Sequence, residues 1–114
     1  MAIEIKLPDG TRKTIRGSNQ ENVAFPSGLC AERTALFYIG SEYPDASVMR
    51  MVIVAQTGGK YLKTPIKPCG GCRQVIVEAA RRQKGQEIEL ILYGEEQTLV
   101  LSERALMPFA FDDF

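Results

Sequence analysis

The chain has three cysteines, Cys30, Cys69 and Cys72, and no histidine. Any metal or acid–base chemistry must therefore be built from Cys, Asp, Glu, Lys, Arg or Tyr, without the commonest metal ligand and general base. An odd cysteine count cannot form a closed disulfide set, which points to a reducing, cytosolic home. Pro68-Cys69-Gly70-Gly71-Cys72 sets two thiols three positions apart at a helix start. Free N–H groups and the helix dipole favour thiolates there, and both sulfurs can face one ion. Taken alone, the pair could also be a redox couple or two unrelated thiols. Cys30-Ala31-Glu32 marks a second helix start. Taken alone, Cys30 reads as a small buried residue and Glu32 as a solvated one.

Together the two motifs say more. A structural zinc site takes four protein ligands, and this chain offers three thiols. A three-ligand zinc keeps one position open for water, as catalytic sites do, and brings that water's pKa toward neutrality. Glu32 lies two residues from Cys30 on the same helix start and can carry the proton without being a ligand. Three thiolates overcompensate the charge of the ion, so a nearby cation is needed. Arg33 and Arg73 each follow a motif residue directly and are the candidates; either could otherwise be a surface or interface arginine.

The rest of the chain predicts the scaffold. A length of 114 residues fits one domain with a sizeable core. Fourteen basic and fourteen acidic side chains cancel, which gives no long-range attraction to nucleic acid or to an anionic membrane. No apolar run is long enough to span a bilayer. Ala2 to Leu7 alternates, Pro8-Asp9-Gly10 is turn chemistry, and Thr11 to Arg16 returns, so a β-hairpin opens the chain. Gly17 to Gly28 reads as a loop. Leu29 to Ile39 reads as a helix with Ser27 as its N-cap and Gly40 as its stop. Val48 to Ala55 is a buried strand, Thr57 to Pro68 a loop, and Cys72 to Gln83 a second helix stopped by Gly85. Ile88 to Tyr93 and Thr98 to Leu101 are strands, and Ser102 to Leu106 forms a short helix halted by Pro108. The order is β-β-α-β-α-β-β, an α/β domain on a mixed sheet.

Cys-x-Glu followed by Pro-Cys-x-x-Cys is the zinc deaminase signature with Cys in place of its usual His. With Asn19-Gln20-Glu21-Asn22, Cys30-Ala31-Glu32-Arg33, Cys69 to Gln74 and the ending Leu106-Met107-Pro108-Phe109-Ala110-Phe111, the chain resembles the short, homotetrameric, zinc-dependent cytidine deaminases of the three-cysteine type. The resemblance runs from the opening hairpin to the C-terminus. It implies a three-layer α/β/α fold on a mixed five-stranded sheet, covering residues 1–114. It makes Cys30, Cys69 and Cys72 the ligands of one zinc ion and Glu32 the general acid–base. Asn19 and Glu21 match residues that bind the ribose hydroxyl, and Ala31 falls among the substrate-binding positions. Arg33 matches an arginine that donates to ligand thiolates. Phe111 matches an aromatic that packs on the base in a neighbouring subunit's site; without the resemblance it reads as core or interface, and Asn19 to Asn22 as a polar loop.

The implied reaction is deamination of cytidine or deoxycytidine in cytoplasmic pyrimidine salvage, with a free nucleoside as partner and neither nucleic acid nor membrane. Members of that family begin with a helix ahead of the first strand. This chain starts at the hairpin, so the expectation is an intact metal site beside an incomplete substrate pocket. A deaminase of another aminated heterocycle or nucleoside antibiotic, and a silent zinc-binding module, are the rival readings.

Overall fold

The computed structural model describes residues 1–112. Ala2–Lys6 (β1) and Arg12–Arg16 (β2) pair antiparallel, with Ile3 opposite Ile15 and Glu4 opposite Thr14. Local chemistry closes the turn between them. Thr11 N–H donates to Asp9 Oδ1 at 2.8 Å, Gly10 N–H donates to the Leu7 carbonyl at 2.9 Å, and Gly10 takes a φ of 91°, a value that glycine reaches without steric cost. After the first helix, Ser47–Ile53 (β3) joins the free edge of β1 antiparallel, with a bulge between Glu4 and Ile5.

The segment expected to be a plain loop contains a small ribbon, Gln56–Thr57 (β4) against Lys60–Tyr61 (β5). Gly58 and Gly59, at φ of 59° and 78°, form its two-residue turn. Paired positive φ values match strand twist, and two glycines supply them. Glu89–Leu92 (β6) then lies parallel to β3, and Leu99–Ser102 (β7) antiparallel to β6. The sheet order is β2-β1-β3-β6-β7, the mixed five-stranded α/β arrangement expected.

The two helices differ from their sequence readings at their ends. The first, Ala31–Glu42 (α1), is capped by Cys30, while Ser27 closes a 3₁₀ turn at Phe25–Ser27 and donates its hydroxyl to the Ala24 carbonyl at 2.8 Å. α1 also runs through Gly40. It stops at Tyr43 (φ −130°, ψ 62°), whose N–H still reaches the Ile39 carbonyl at 2.8 Å. Pro44 follows, and a residue before proline is pushed out of the helical region. The second helix, Gly70–Arg82 (α2), is capped by Cys69 and ends before Lys84 and Gly85, both at positive φ. Its C-terminal end is tied to the sheet by the Gln83 amide, which donates to the Val48 carbonyl at 3.0 Å and accepts the Val48 N–H.

One core joins these elements. Ile3, Ile5, Met51 and Leu90 from the sheet pack with Ala35, Leu36 and Ile39 of α1 and Ile76 and Ala80 of α2. Each large side chain removed fully from water contributes about 1.5–3 kcal/mol. Both helices therefore cover the same face of the sheet. The second helical layer of the three-layer expectation is not among the described residues. The opposite face carries a row of alternating charge, Arg12–Glu4–Arg50–Glu89, with nitrogen–oxygen distances of 2.7, 3.9 and 3.5 Å. α2 carries the chain back from the end of β3 to the start of β6, so its N-terminus lies toward the carboxyl ends of both parallel strands, where open α/β sheets bind ligands.

Candidate active site

The three thiols, far apart in sequence, converge where the N-termini of α1 and α2 meet. Cys30 is the N-cap of α1, Cys69 is the N-cap of α2, and Cys72 stands in the first turn of α2. Neither cap residue spends its side chain on closing its own helix, so the sulfurs are free to face one another. All three lie within 4.8 Å of one another, and Cys30 Sγ is 3.8 Å from Cys69 Sγ. Sulfurs that share a tetrahedral zinc at about 2.3 Å stand about 3.8 Å apart. The donor set and its spacing fit one Zn²⁺.

The surroundings treat the thiols unequally. Cys69 is exposed, and the backbone N–H of Cys72, chief among several donors, holds its pKa below the ordinary thiol range. Cys72 is wholly buried, and burial pushes its pKa up; the Cys69 thiol and then the charge of Glu32 add to the rise. Glu32 is thus close enough to be felt at Cys72, and at 8% exposure it is one of two buried acidic side chains among the described residues. A positive charge answers this negative cluster. Arg33 Nη2 donates to Cys30 Sγ at 3.5 Å. Its pKa is raised first by Cys30 and next by Cys72, so the guanidinium stays charged between two sulfurs. Its Nε is buried without a hydrogen-bond partner.

Arg73, the other candidate cation, does something else. Its Nε donates to the Pro68 carbonyl at 2.8 Å and its Nη1 to the Leu106 carbonyl at 3.2 Å. Its Nε and Nη1 are thus engaged on two backbone carbonyls, whereas the bond to a sulfur is made by Arg33.

The polar loop before α1 is held by an isolated bridge between Gln20 and Leu29. Asn19 Oδ1 accepts the Ala31 N–H at 2.9 Å, which satisfies the first free donor of α1. Two residues expected at the substrate are therefore bonded to each other. Glu21 is exposed. Phe111 is 73% exposed, and its backbone carbonyl accepts from Gln74 Nε2 at 2.7 Å. The ring is not part of the described core. A concavity of about 780 Å³ lies elsewhere, lined by residues such as Phe37, Tyr43, Val75 and Ala79.

Sequence reasoning passed over Gly17. A Cβ there would lie 2.7 Å from the Ala31 carbonyl oxygen and 2.8 Å from Ala35 Cβ. The absence of a side chain lets the end of β2 seat the first turn of α1, which bears Glu32. Glycine in a polar loop gives no sign of such a contact.

Three thiols and a buried glutamate at two helix starts, on an open α/β sheet, define a zinc-dependent hydrolytic enzyme class. Within it, residues 7–84 match the family described as the cytidine and deoxycytidylate deaminase zinc-binding region. The chain belongs to that family. It is 39% identical over 105 residues to a cytidine deaminase of Halalkalibacterium halodurans, covering 92% of this chain and 71% of that protein. It is 44% identical over 103 residues to one from Sporosarcina psychrophila, covering 90% and 68%. The fold matches the crystal structure of cytidine deaminase from Burkholderia pseudomallei with a TM-score of 0.69 at 33% identity, over 96% of this chain and 80% of that one. The Mycobacterium tuberculosis cytidine deaminase gives 0.60 at 25% identity, over 96% and 76%.

Proposed function

We propose that the protein hydrolyses cytidine or deoxycytidine to the corresponding uridine and ammonia, with one zinc held by Cys30, Cys69 and Cys72. The observation that carries this reading is the thiol cluster with buried Glu32 beside it. The relatives named cytidine deaminase support the choice of substrate. A zinc ion held by these three thiols would supply an acidified water as the nucleophile.

The protein's own groups do the remaining work. Glu32 accepts the water's first proton and delivers it to N3 of the pyrimidine; it then takes the proton of the hydroxyl added at C4 and passes it to the amine, which leaves as ammonia when the C4–N bond breaks. Its burial keeps competing water from the carboxylate. Arg33 offsets the thiolate charge, so that the site does not become too electron-rich to acidify water. Asn19 and Glu21, on either side of the bridged Gln20, meet the ribose hydroxyl, and Ala31 lies against the substrate. Asn19 also fixes the start of α1 through Ala31, so the same residue sets the distance from sugar to catalytic helix.

Phe111 packs on the base in a neighbouring subunit. The assembly is then a homotetramer of chains that each form one domain over 1–114, acting in pyrimidine salvage in the cytoplasm. The partners are a small nucleoside and further copies of the chain, not nucleic acid. Among the described residues no helix is long and apolar enough to cross a membrane.

Glu32→Gln keeps size and polarity but cannot cycle a proton. It is expected to lower kcat by about 10²–10⁴-fold at unchanged zinc content, read by cytidine turnover and metal analysis on one preparation. Full turnover in a zinc-loaded Glu32→Gln chain would contradict the assigned role.

A further inference from the structure

Three consecutive contacts lash the C-terminal segment to α2. Arg73 Nη1 donates to the Leu106 carbonyl at 3.2 Å, Gln74 Nε2 to the Phe111 carbonyl at 2.7 Å, and Arg81 Nε to Asp112 Oδ2 at 2.8 Å. The tail's backbone is held while its aromatic rings face outward, Phe109 at 98% exposure. The first of these contacts has a second end at the metal-ligand loop. The same guanidinium that holds Leu106 donates through Nε to the Pro68 carbonyl at 2.8 Å, and that peptide leads directly into Cys69.

We propose that Arg73 is a positioning residue that couples the metal-ligand loop to the C-terminal tail. The guanidinium is planar, and its donors diverge at fixed angles. With one edge on Pro68 and the other on Leu106, the two carbonyls are held in a set relation. Displacing Cys69 turns the Pro68 peptide, breaks or bends the first bond, and loosens the second. Both bonds are partly buried, so water replaces them poorly. Leu106 is itself in the core, which gives the tail a firm root at the point Arg73 grips. Coupling of this kind is reciprocal: zinc on the thiols steadies the tail, and a seated tail steadies the zinc loop. This rests on the zinc reading and not on the identity of the substrate.

Chymotrypsin cleavage of the tail at Phe109 and Phe111 tests it, with cleavage at Phe37 and Tyr38 as the internal measure of global opening. In the wild-type chain, zinc loading is expected to slow tail cleavage about fivefold or more relative to chelator-stripped protein, the low end of ordinary coupling between sites. In Arg73→Gln the rate should no longer depend on zinc. In Gln74→Ala, which frees the Phe111 carbonyl but leaves Pro68 held, both rates should rise while the zinc effect persists. Arg73→Lys covers the case in which Arg73→Gln does not fold, since one ammonium cannot span both carbonyls and the zinc effect should again shrink. A full zinc effect in folded Arg73→Gln or Arg73→Lys overturns the coupling, as does wild-type tail cleavage indifferent to zinc. A chain that shows the expected pattern but leaves cytidine untouched keeps the coupling and defeats the substrate reading alone.

Discussion

Cys69 and Cys72 are three residues apart, yet their thiols are displaced in opposite directions, one held down by a backbone donor and the other raised by burial. That inequality comes from depth in the fold and cannot be read from spacing. What spacing does show is the set of sulfurs, because only three exist. The motif spacing alone does not choose between Arg33 and Arg73, since each simply follows a motif residue; the resemblance points to Arg33. Helix geometry separates them: Arg33 is three positions from Cys30, on the same face of one helix start, whereas Arg73 is one position from Cys72 and points well round the helix. Gly17 is the residue-scale feature that the sequence hid most completely. Gly17→Ala places a methyl 2.7 Å from a backbone oxygen, and overpacking of this kind costs about 1–3 kcal/mol. A fall in unfolding free energy of that size, read by urea titration, is expected, together with reduced turnover as the first turn of α1 shifts. Wild-type stability and rate in Gly17→Ala would show that the contact is slack.

At the scale of elements, periodicity revealed nearly every strand and both helices, and the errors fell at their ends. Gly40 failed to stop α1 because it lies on an exposed side where nothing demands positive φ, and Pro44 imposed the stop instead. The β4–β5 ribbon was hidden because two residues per strand are too few to show alternation, although the glycine pair between them was visible. The opening hairpin was legible from its turn alone, and that turn makes a pH prediction. The Thr11 backbone N–H, the first cause, holds the Asp9 carboxyl below its ordinary value of 3.8. A carboxyl with a lowered folded pKa lends stability above its unfolded value and loses it as pH falls through the folded one. The thermal midpoint of the wild-type chain should exceed that of Asp9→Ala above about pH 4, and the gap should close as pH falls below that value. A gap that persisted in strong acid would place the effect outside the carboxylate.

At the scale of the molecule, one helical layer protects one face of the sheet, and the other face displays the Arg12–Glu4–Arg50–Glu89 row. Half-exposed pairs like these contribute about 0–1 kcal/mol each, so the row keeps that face soluble more than it stabilises the fold. The three thiols are brought together within one chain, whereas Phe111 and Glu21, the residues proposed to meet the substrate, are exposed. The proposed homotetramer would bring a neighbouring copy to these exposed residues. Light scattering is expected to give four times the 12.6 kDa chain mass; a monomer with full activity would contradict a shared pocket.

The most direct test is to mix the purified 114-residue chain, with zinc content confirmed, with cytidine and to follow the ultraviolet change as uridine forms. Turnover proportional to bound zinc is the expected result: the thiol cluster, Glu32 and the Asn19–Glu21 strand suffice for the reaction. A folded, zinc-loaded chain that leaves cytidine unchanged would contradict the central claim.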